Sequence, residues 1–470
     1  MELSAEMKAT LDELSRVNGD FNGFIKKNPE SLKSNSFKDL KSSDEYKLQA
    51  WPTFLKPQTK ALFLEMGTKV FDLIKSIPGR FFANDPHRAA AFFEQPAAVI
   101  KLQLDGINHD HLANLVGRVD FIFSTAGLKC LELNVSATTI GWQLPGWEAL
   151  YLNNPVIAKF LNEYRVKINN ENYPALFLDH MIRFTEPLAA PPDTAGNAGH
   201  DGQSELNLAM VMQGYIESEQ AANPLWGNLK SLYHEKLSHR SLTGNLMMCD
   251  FPDLEYIDNK IYFKGRRIHG VIELCHGIVA PGVMKAYMAG NIRLLNGPMT
   301  GLLSNKLNLA LLSEHENSDI FTSAERETIK KYIPWTRKII PGETVYKGEK
   351  INLPDFLMAH KDKLVIKPSL GLGGQRVCIG QDIFRKEWEY LVNMALRKKN
   401  YVVQELVEAP RFPYRFGEDG FAFHDIVWGI WLLGPQYGAS FIRLLPSGNA
   451  RKVVNAAQGA EIGIIFEVDE

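Results

Sequence analysis

The sequence predicts a mixed α/β (α+β) protein, and three features of the 470-residue chain predict it. The first hundred residues place apolar side chains at helical spacing, the middle of the chain alternates strands with helices, and strands dominate from Lys363 onward. Hydrophobic residues at 45% and charged residues at 23% are ordinary globular values, and the length favours two or three packed subdomains.

Leu3, Met7, Leu11, Leu14 and Val17 form one helical stripe, and Leu62, Met66, Val70, Leu73 and Ile77 form a second that is expected to stop at Pro78. From Arg118 the pattern changes to alternating residues, a turn over Ser124 to Gly127, and a second alternating run from Lys129 to Asn134. This reads as a β-hairpin. Ala190 to Glu205, rich in proline and glycine, reads as a surface loop between two blocks. Beyond it come a buried strand over Leu206 to Gln213, a helix, a strand near Leu246 to Cys249 and a hairpin-like Leu254 to Leu274, which suggest a small α/β domain with parallel strands. Helices are expected at Asn305 to Ser313, Ala324 to Tyr332 and Ile383 to Arg397.

A net charge of -2 leaves no global basic field for nucleic acid or an anionic membrane. No run approaches the ~18 apolar residues that cross a bilayer, and the first residues lack a basic start followed by an apolar run, so a cytoplasmic protein with small-molecule partners is expected. The four cysteines, Cys130, Cys249, Cys275 and Cys378, lack paired spacing and read as reduced, mostly buried thiols.

Two segments carry chemistry. In the first, Glu132 and Asn134 are two apart on a strand and share a face. A turn about Ala126 sets Asp120 opposite Glu132 and Arg118 opposite Asn134, with Leu131 and Leu133 on the other face. Two carboxylates and an amide oxygen are hard ligands suited to Mg²⁺, and a guanidinium beside them suits phosphate or carboxylate; the alternative is a solvent-facing hairpin. The second segment runs through Lys367, Gly371, Gly373, Gly374 and Gln375 between two strands. Its glycines let backbone N–H groups approach phosphate oxygens and Lys367 supplies charge, the alternative being an ordinary hairpin turn. No helix opens after these glycines, so the pattern is neither a P-loop nor a dinucleotide fingerprint. A strand from Tyr401 to Val407 carries Gln404 and Glu405, groups able to face adenine and ribose.

Taken together, the hairpin, the glycine loop and the carboxyl-terminal strands resemble the circularly permuted ATP-grasp proteins, more closely the synthetase domain of glutathionylspermidine synthase and its relatives. In ordinary ATP-grasp chains the acidic ligands follow the glycine loop; here they precede it by more than two hundred residues. The resemblance covers residues 110 to 470. It implies a metal-binding part over 106–190, a Rossmann-like pre-ATP-grasp domain over 206–320 and a glycine-loop part over 330–470, after a helical region over 1–105. It further implies that Asp120, Glu132 and Asn134 bind Mg²⁺, that Lys367 and Gly371 to Arg376 hold ATP phosphates, and that Gln404, Glu405 and Val407 line adenine. Arg118 and Arg443 would neutralise the transferring phosphoryl group. Pro334 to Arg337, Asn305 and Lys306, and Val453 to Gly459 look like further family elements without assigned roles.

The chain departs from glutathionylspermidine synthases after Asn134 and in its Gly-Leu-Gly-Gly loop, so glutathione and spermidine are not assigned as substrates. The expected activity is an ATP-dependent carboxylate–amine ligase working through an acyl-phosphate, with a loop closing over the site. The alternatives are a catalytically inactive ATP-binding partner protein and a phosphotransferase.

Overall fold

A computed structural model describes residues 5–28, 47–106, 109–124, 127–136, 141–189, 204–215, 223–274, 279–371, 373–417, 420–448 and 453–469. The expected loop over Ala190 to Glu205 lies almost wholly outside these residues, as do the tip of the hairpin at 125–126, Cys275 and His276. The architecture is mixed α/β, with helices packed on several sheets.

The first helical stripe is split. Helices Ala5–Leu14 and Arg16–Lys27 meet at Ser15, whose Oγ accepts from the Val17 N–H and caps the second helix. The second stripe becomes the helix Pro57–Phe82, which runs through Pro78 instead of stopping there. Proline removes one backbone donor but leaves the remaining ladder intact; Ala83 in the left-handed region then closes the helix through its N–H to Gly79 O. Its buried face, including Phe63, Met66, Val70 and Ile77, lies on the central sheet. The contact is close at Gly67, where an added Cβ would stand 2.6 Å from Ile430 Cδ1.

That central sheet has seven strands. Their spatial order is Thr53–Leu55, Glu461–Glu467, Gln436–Pro446, Gly420–Leu433, Val116–Ser124 and Gly127–Asn134, with Phe412–Gly417 also pairing Gly420–Leu433. The first pair is parallel and the others antiparallel. On one edge of Gly420–Leu433, Phe412 pairs with His424 and Phe121 with Trp428, which leaves Asp425 to Val427 between two separate partners. The sheet opens there.

A second sheet orders Thr336–Lys338, Tyr401–Glu405, Leu364–Pro368 and Cys378–Ile379, all antiparallel. Its back is covered by the helices Leu353–Ala359 and Arg385–Lys398, with Trp388 fully buried and its indole N–H donating to Leu357 O. A third sheet is wholly parallel, in the order Arg293–Leu295, Gly270–Glu273, Leu208–Val211, Leu246–Cys249. The hairpin-like stretch from Leu254 resolves into a three-stranded meander, Glu255–Ile257, Lys260–Phe263 and Arg266–Ile268, before the parallel strand begins. Asp258 with Asn259, and Lys264 with Gly265, take left-handed backbone angles that make its two tight turns. Among the described residues no helix is long and apolar enough to cross a membrane.

Candidate functional site

The carboxylate hairpin pairs Arg118 with Asn134 and Asp120 with Glu132. The pairing arises differently from the expected symmetric turn. Ser124 pairs with Gly127 at the tip, and the register shifts between Asp120 and Phe121, where partners jump from Glu132 to Cys130. Leu131 is therefore the extra residue of a β-bulge. The bulge corrects one expectation: Leu131 does not share the buried side with Leu133 but lines a cleft beside Asp120 and Glu132. It also frees the Leu131 carbonyl, which accepts from Lys367 Nζ at 3.3 Å.

The cleft has a volume of about 810 Å³ and lies between the central sheet and the glycine-loop sheet. At its floor the charged groups interlock. Arg118 grips Asp120 with two hydrogen bonds, Nε to Oδ1 at 2.7 Å and Nη2 to Oδ2 at 3.0 Å. Asn134 Nδ2 donates to Asp120 Oδ2 at 3.1 Å and reaches Glu132 Oε1 at 3.5 Å. Lys306 Nζ pairs with Glu132 Oε2 at 3.2 Å and donates to Gly371 O at 3.4 Å, tying the hairpin to the glycine loop. Lys367 Nζ also donates to Gln404 Oε1 at 2.6 Å, and Gln404 Nε2 to Thr336 Oγ1 at 3.1 Å.

Arg443 enters from the strand Gln436–Pro446 and is 4% exposed. Its Nη2 stands 2.8 Å from Asp120 Oδ2, but off the hydrogen-bond line: neither Nε nor Nη2 has a hydrogen-bond partner among the described residues. Buried N–H groups are otherwise almost always satisfied. Arg443 lines the cleft, with its Nε and Nη2 themselves shielded from solvent and Nη2 held in the ion pair with Asp120.

Four cations, Arg118, Lys306, Lys367 and Arg443, thus meet two carboxylates, Asp120 and Glu132, and leave two positive charges at a mostly buried floor, while the more exposed lining groups Glu405, Glu408, Asp425 and Arg411 bring the cleft as a whole to charge balance. Burial works against the Glu132 charge, yet Lys306, Lys367 and Arg443 together hold its carboxyl well below the usual range. Burial lowers Lys367, partly countered by Glu132 and reinforced by Lys306, to about 8. Burial opposes the Arg118 charge too, but Asp120 more than restores it.

The glycine hairpin joins Leu364–Pro368 to Cys378–Ile379, with Val365 opposite Ile379. Gly371, Gly373 and Gly374 all take positive φ. Gly374 lines the cleft and packs on the segment after the central sheet: a Cβ there would lie 3.0 Å from Val453 Cγ1 and 3.2 Å from Asn455 Cβ. Val453, Val454 and Asn455 line the cleft as well.

Of the residues singled out from sequence, Asp120, Glu132, Lys367, Gly374, Gln404, Glu405, Val407 and Arg443 share this one cleft. Arg118 and Asn134 sit beside it, bonded to Asp120. Gly371 and Gly373 are not among its walls; Gly373 instead packs near Ala457, and Gln375 is exposed. The Gln404 amide is taken up by Lys367 and Thr336, and Glu405 accepts from Tyr346 Oη at 3.1 Å. Arg337, noted without a role, is a structural residue bonded to Ser313, Thr336, Thr344 and Val345. The buried thiols of Cys130 and Cys249 are pushed up to about 12 by burial, which removes them from nucleophilic chemistry. Lys306, noted with Asn305 as a family element without a role, is placed on Glu132 by the structure, while the bulge at Leu131 left no sequence signal.

Two carboxylates and a neighbouring amide are a donor set that fits Mg²⁺, provided Asn134, which presents Nδ2 to both carboxylates, turns its amide to offer Oδ1. Among the described residues no group of three or more His, Cys, Asp or Glu is disposed to hold a metal, so any site here needs the amide and ligand oxygens. A second cavity of about 400 Å³ near His180, Arg183 and Arg293 has its polar groups already bonded within the protein.

Fold and site together define a mixed α/β protein with a cleft whose floor gathers four cations and two carboxylates. No protein-family model matches the chain. It is 22% identical over 254 residues to an uncharacterized protein of Synechocystis sp., a match spanning 53% of this chain. The match spans 47% of that protein, so the chain covers about half the length of the curated relative. Among solved structures it is similar to a provisionally assigned gamma-glutamylcysteine synthetase of Methylobacillus flagellatus KT, with 10% identity, a TM-score of 0.40, and coverage of 85% of this chain and 87% of that one. At that TM-score the likeness carries no argument.

Proposed function

We propose that this protein is an ATP-dependent carboxylate–amine ligase with a circularly permuted ATP-grasp arrangement, using Mg²⁺ and forming an amide through an acyl-phosphate. The observation that carries the reading is the floor of the cleft: an excess of two positive charges, with a buried Arg443 whose Nε has no hydrogen-bond partner among the described residues. A magnesium–nucleoside triphosphate complex carries about two negative charges, which would neutralise that excess.

In this reading Lys367 and the N–H groups around Gly374 receive the phosphates, while apolar walls such as Leu131, Val365, Ile379 and Leu406 take the base. Asp120, Glu132 and Asn134 would hold Mg²⁺, which when bound draws charge off the phosphate oxygens. Arg443 and Arg118 stabilise the terminal phosphoryl group as it passes to a substrate carboxylate oxygen and ADP leaves. A neutral amine then attacks the acyl carbon, the phosphate departs with the electron pair of its C–O bond, and the amine's proton goes to solvent. Arg443 suits this task because its guanidinium is already desolvated and held beside Asp120, so little solvent reorganisation remains for the reaction to supply.

The test is incubation of the full chain with MgATP and pooled amino acids, short peptides and polyamines, read by mass. ADP, free phosphate and a product lighter by one water than its two precursors is the expected result. An acceptor that keeps the phosphate would make the protein a phosphotransferase, and ATP binding without any turnover would make it a non-catalytic partner.

A further inference from the structure

Phe441 occupies an unusual position beside the two arginines. It lies two residues before Arg443 on the same strand face. Across the sheet, Gly429 is flanked by Asp120 on one side and Phe441 on the other. With no side chain on Gly429, the Phe441 ring leans into its place: a Cβ added there would stand 2.4 Å from Phe441 Cε1 and 3.0 Å from Cδ1. From that seat the ring centroid is 5.4 Å from the Arg118 Cζ and 5.5 Å from the Arg443 Cζ, while Trp431 stacks on it at 4.6 Å and 23°.

Both guanidinia are also bound to Asp120, the carboxylate proposed to turn toward a divalent cation. A carboxylate has about four acceptor positions, and Asp120 already receives Arg118 twice and Asn134 once, with Arg443 beside them. Metal binding must therefore loosen at least part of this grip. An aromatic face holds a guanidinium without consuming its in-plane N–H donors.

We propose that Phe441, seated on Gly429 and backed by Trp431, is a positioning residue that keeps Arg118 and Arg443 at the phosphate end of the cleft with their donors free when Asp120 is given up to a cation. The inference rests on the nucleotide reading above. It makes Gly429 a requirement of the site and not only of the strand, because its backbone is ordinary and only the ring stands in the way of a side chain.

The experiment compares calorimetric binding of MgATP and of adenosine by the full-length wild type, Phe441→Leu, Phe441→Tyr and Gly429→Ala, together with their melting temperatures. Loss of one arginine's hold on a phosphate predicts that Phe441→Leu and Gly429→Ala weaken MgATP by about tenfold or more while adenosine changes less than about twofold. Phe441→Tyr, which keeps the ring face, restores MgATP binding to within about twofold. Equal losses for MgATP and adenosine, or unchanged MgATP binding in Phe441→Leu, overturn the positioning role while leaving the nucleotide reading intact. A wild type that binds neither ligand overturns both. If Phe441→Leu does not fold, Gly429→Ala against Phe441→Tyr decides the matter alone.

Discussion

Replacing Arg443 by methionine separates a functional arginine from a structural one. The substitution removes a guanidinium that is 4% exposed and leaves an unbranched side chain able to fill the space. Asp120 loses one neighbour at 2.8 Å but keeps two hydrogen bonds from Arg118 and one from Asn134. Against the loss of that ion pair stands the removal of a buried Nε–H without a hydrogen-bond partner, a burden of about 1–3 kcal/mol. The net change in stability is expected to be a loss of about 2 kcal/mol or less, whereas breaking a buried ion pair with every donor satisfied costs about 3–5 kcal/mol. For a chain of this length 1 kcal/mol corresponds to about 1 °C in melting temperature, by extension of the size scaling. Scanning calorimetry should therefore show a fall of about 2 °C or less, and MgATP titration a loss of about tenfold or more from one charge-assisted contact. A fall of about 3–5 °C with unchanged MgATP affinity would refute the reasoning and make Arg443 a structural ion pair.

Further predictions concern the same floor. Asp120→Ala removes the carboxylate paired with two mostly buried guanidinia, leaving Glu132 alone beside them, and should cost about 3–5 kcal/mol, so it lowers the melting temperature as well as activity. Glu132→Gln preserves shape, and Lys306 keeps its bond to Gly371 O, so this variant should lose the magnesium dependence of nucleotide binding while melting within about 2 °C of wild type. Lys367 is lowered to about 8 by burial, so its charged form burdens folding fully below that pH, and the burden shrinks as pH rises toward its ordinary value. Phosphate binding needs the charged form, so MgATP affinity should hold up to about pH 8 and fall above it; calorimetry of wild type and Lys367→Met across that range checks the sign, since the variant should lack the fall. Gly374→Ala places a side chain at φ 68° and 3.0 Å from Val453 Cγ1, and should cost about 1–2 kcal/mol from the left-handed backbone alone, measurable as a lower melting temperature.

How much of this was legible in the sequence depends on the range of the interaction. The alternation of Arg118, Asp120, Glu132 and Asn134 and the strand–glycine–strand run around Lys367 are local patterns, and those residues meet in one region. The register of the hairpin was anticipated at Asp120 and Glu132, yet it depends on a bulge at Leu131 that a period of two does not announce. Pairings made by distant segments were not legible. Thr53–Leu55 finds its partner in Glu461–Glu467, with Thr53 opposite Ile465, and Val116–Ser124 pairs with the strand that contains Gly429, each across some three hundred residues or more. The helix running past Pro78 shows tertiary burial outweighing one lost hydrogen bond, with Ile77, Pro78 and Phe82 all buried. Lys306 gains its place from the loop between two short helices, and only the folded chain brings it to Glu132. Gly429 did carry a signal, since a glycine inside an otherwise apolar strand marks close approach of something else, here the ring of Phe441.

The most direct test of the central claim is calorimetric titration of the full-length protein with MgATP, alongside Lys367→Ala. The account predicts saturable binding with a Kd below about 1 mM in the wild type and a loss of about tenfold or more when the Lys367 charge is removed from the floor of the cleft. Absence of binding by the wild type, or an affinity that Lys367→Ala leaves unchanged, would contradict it.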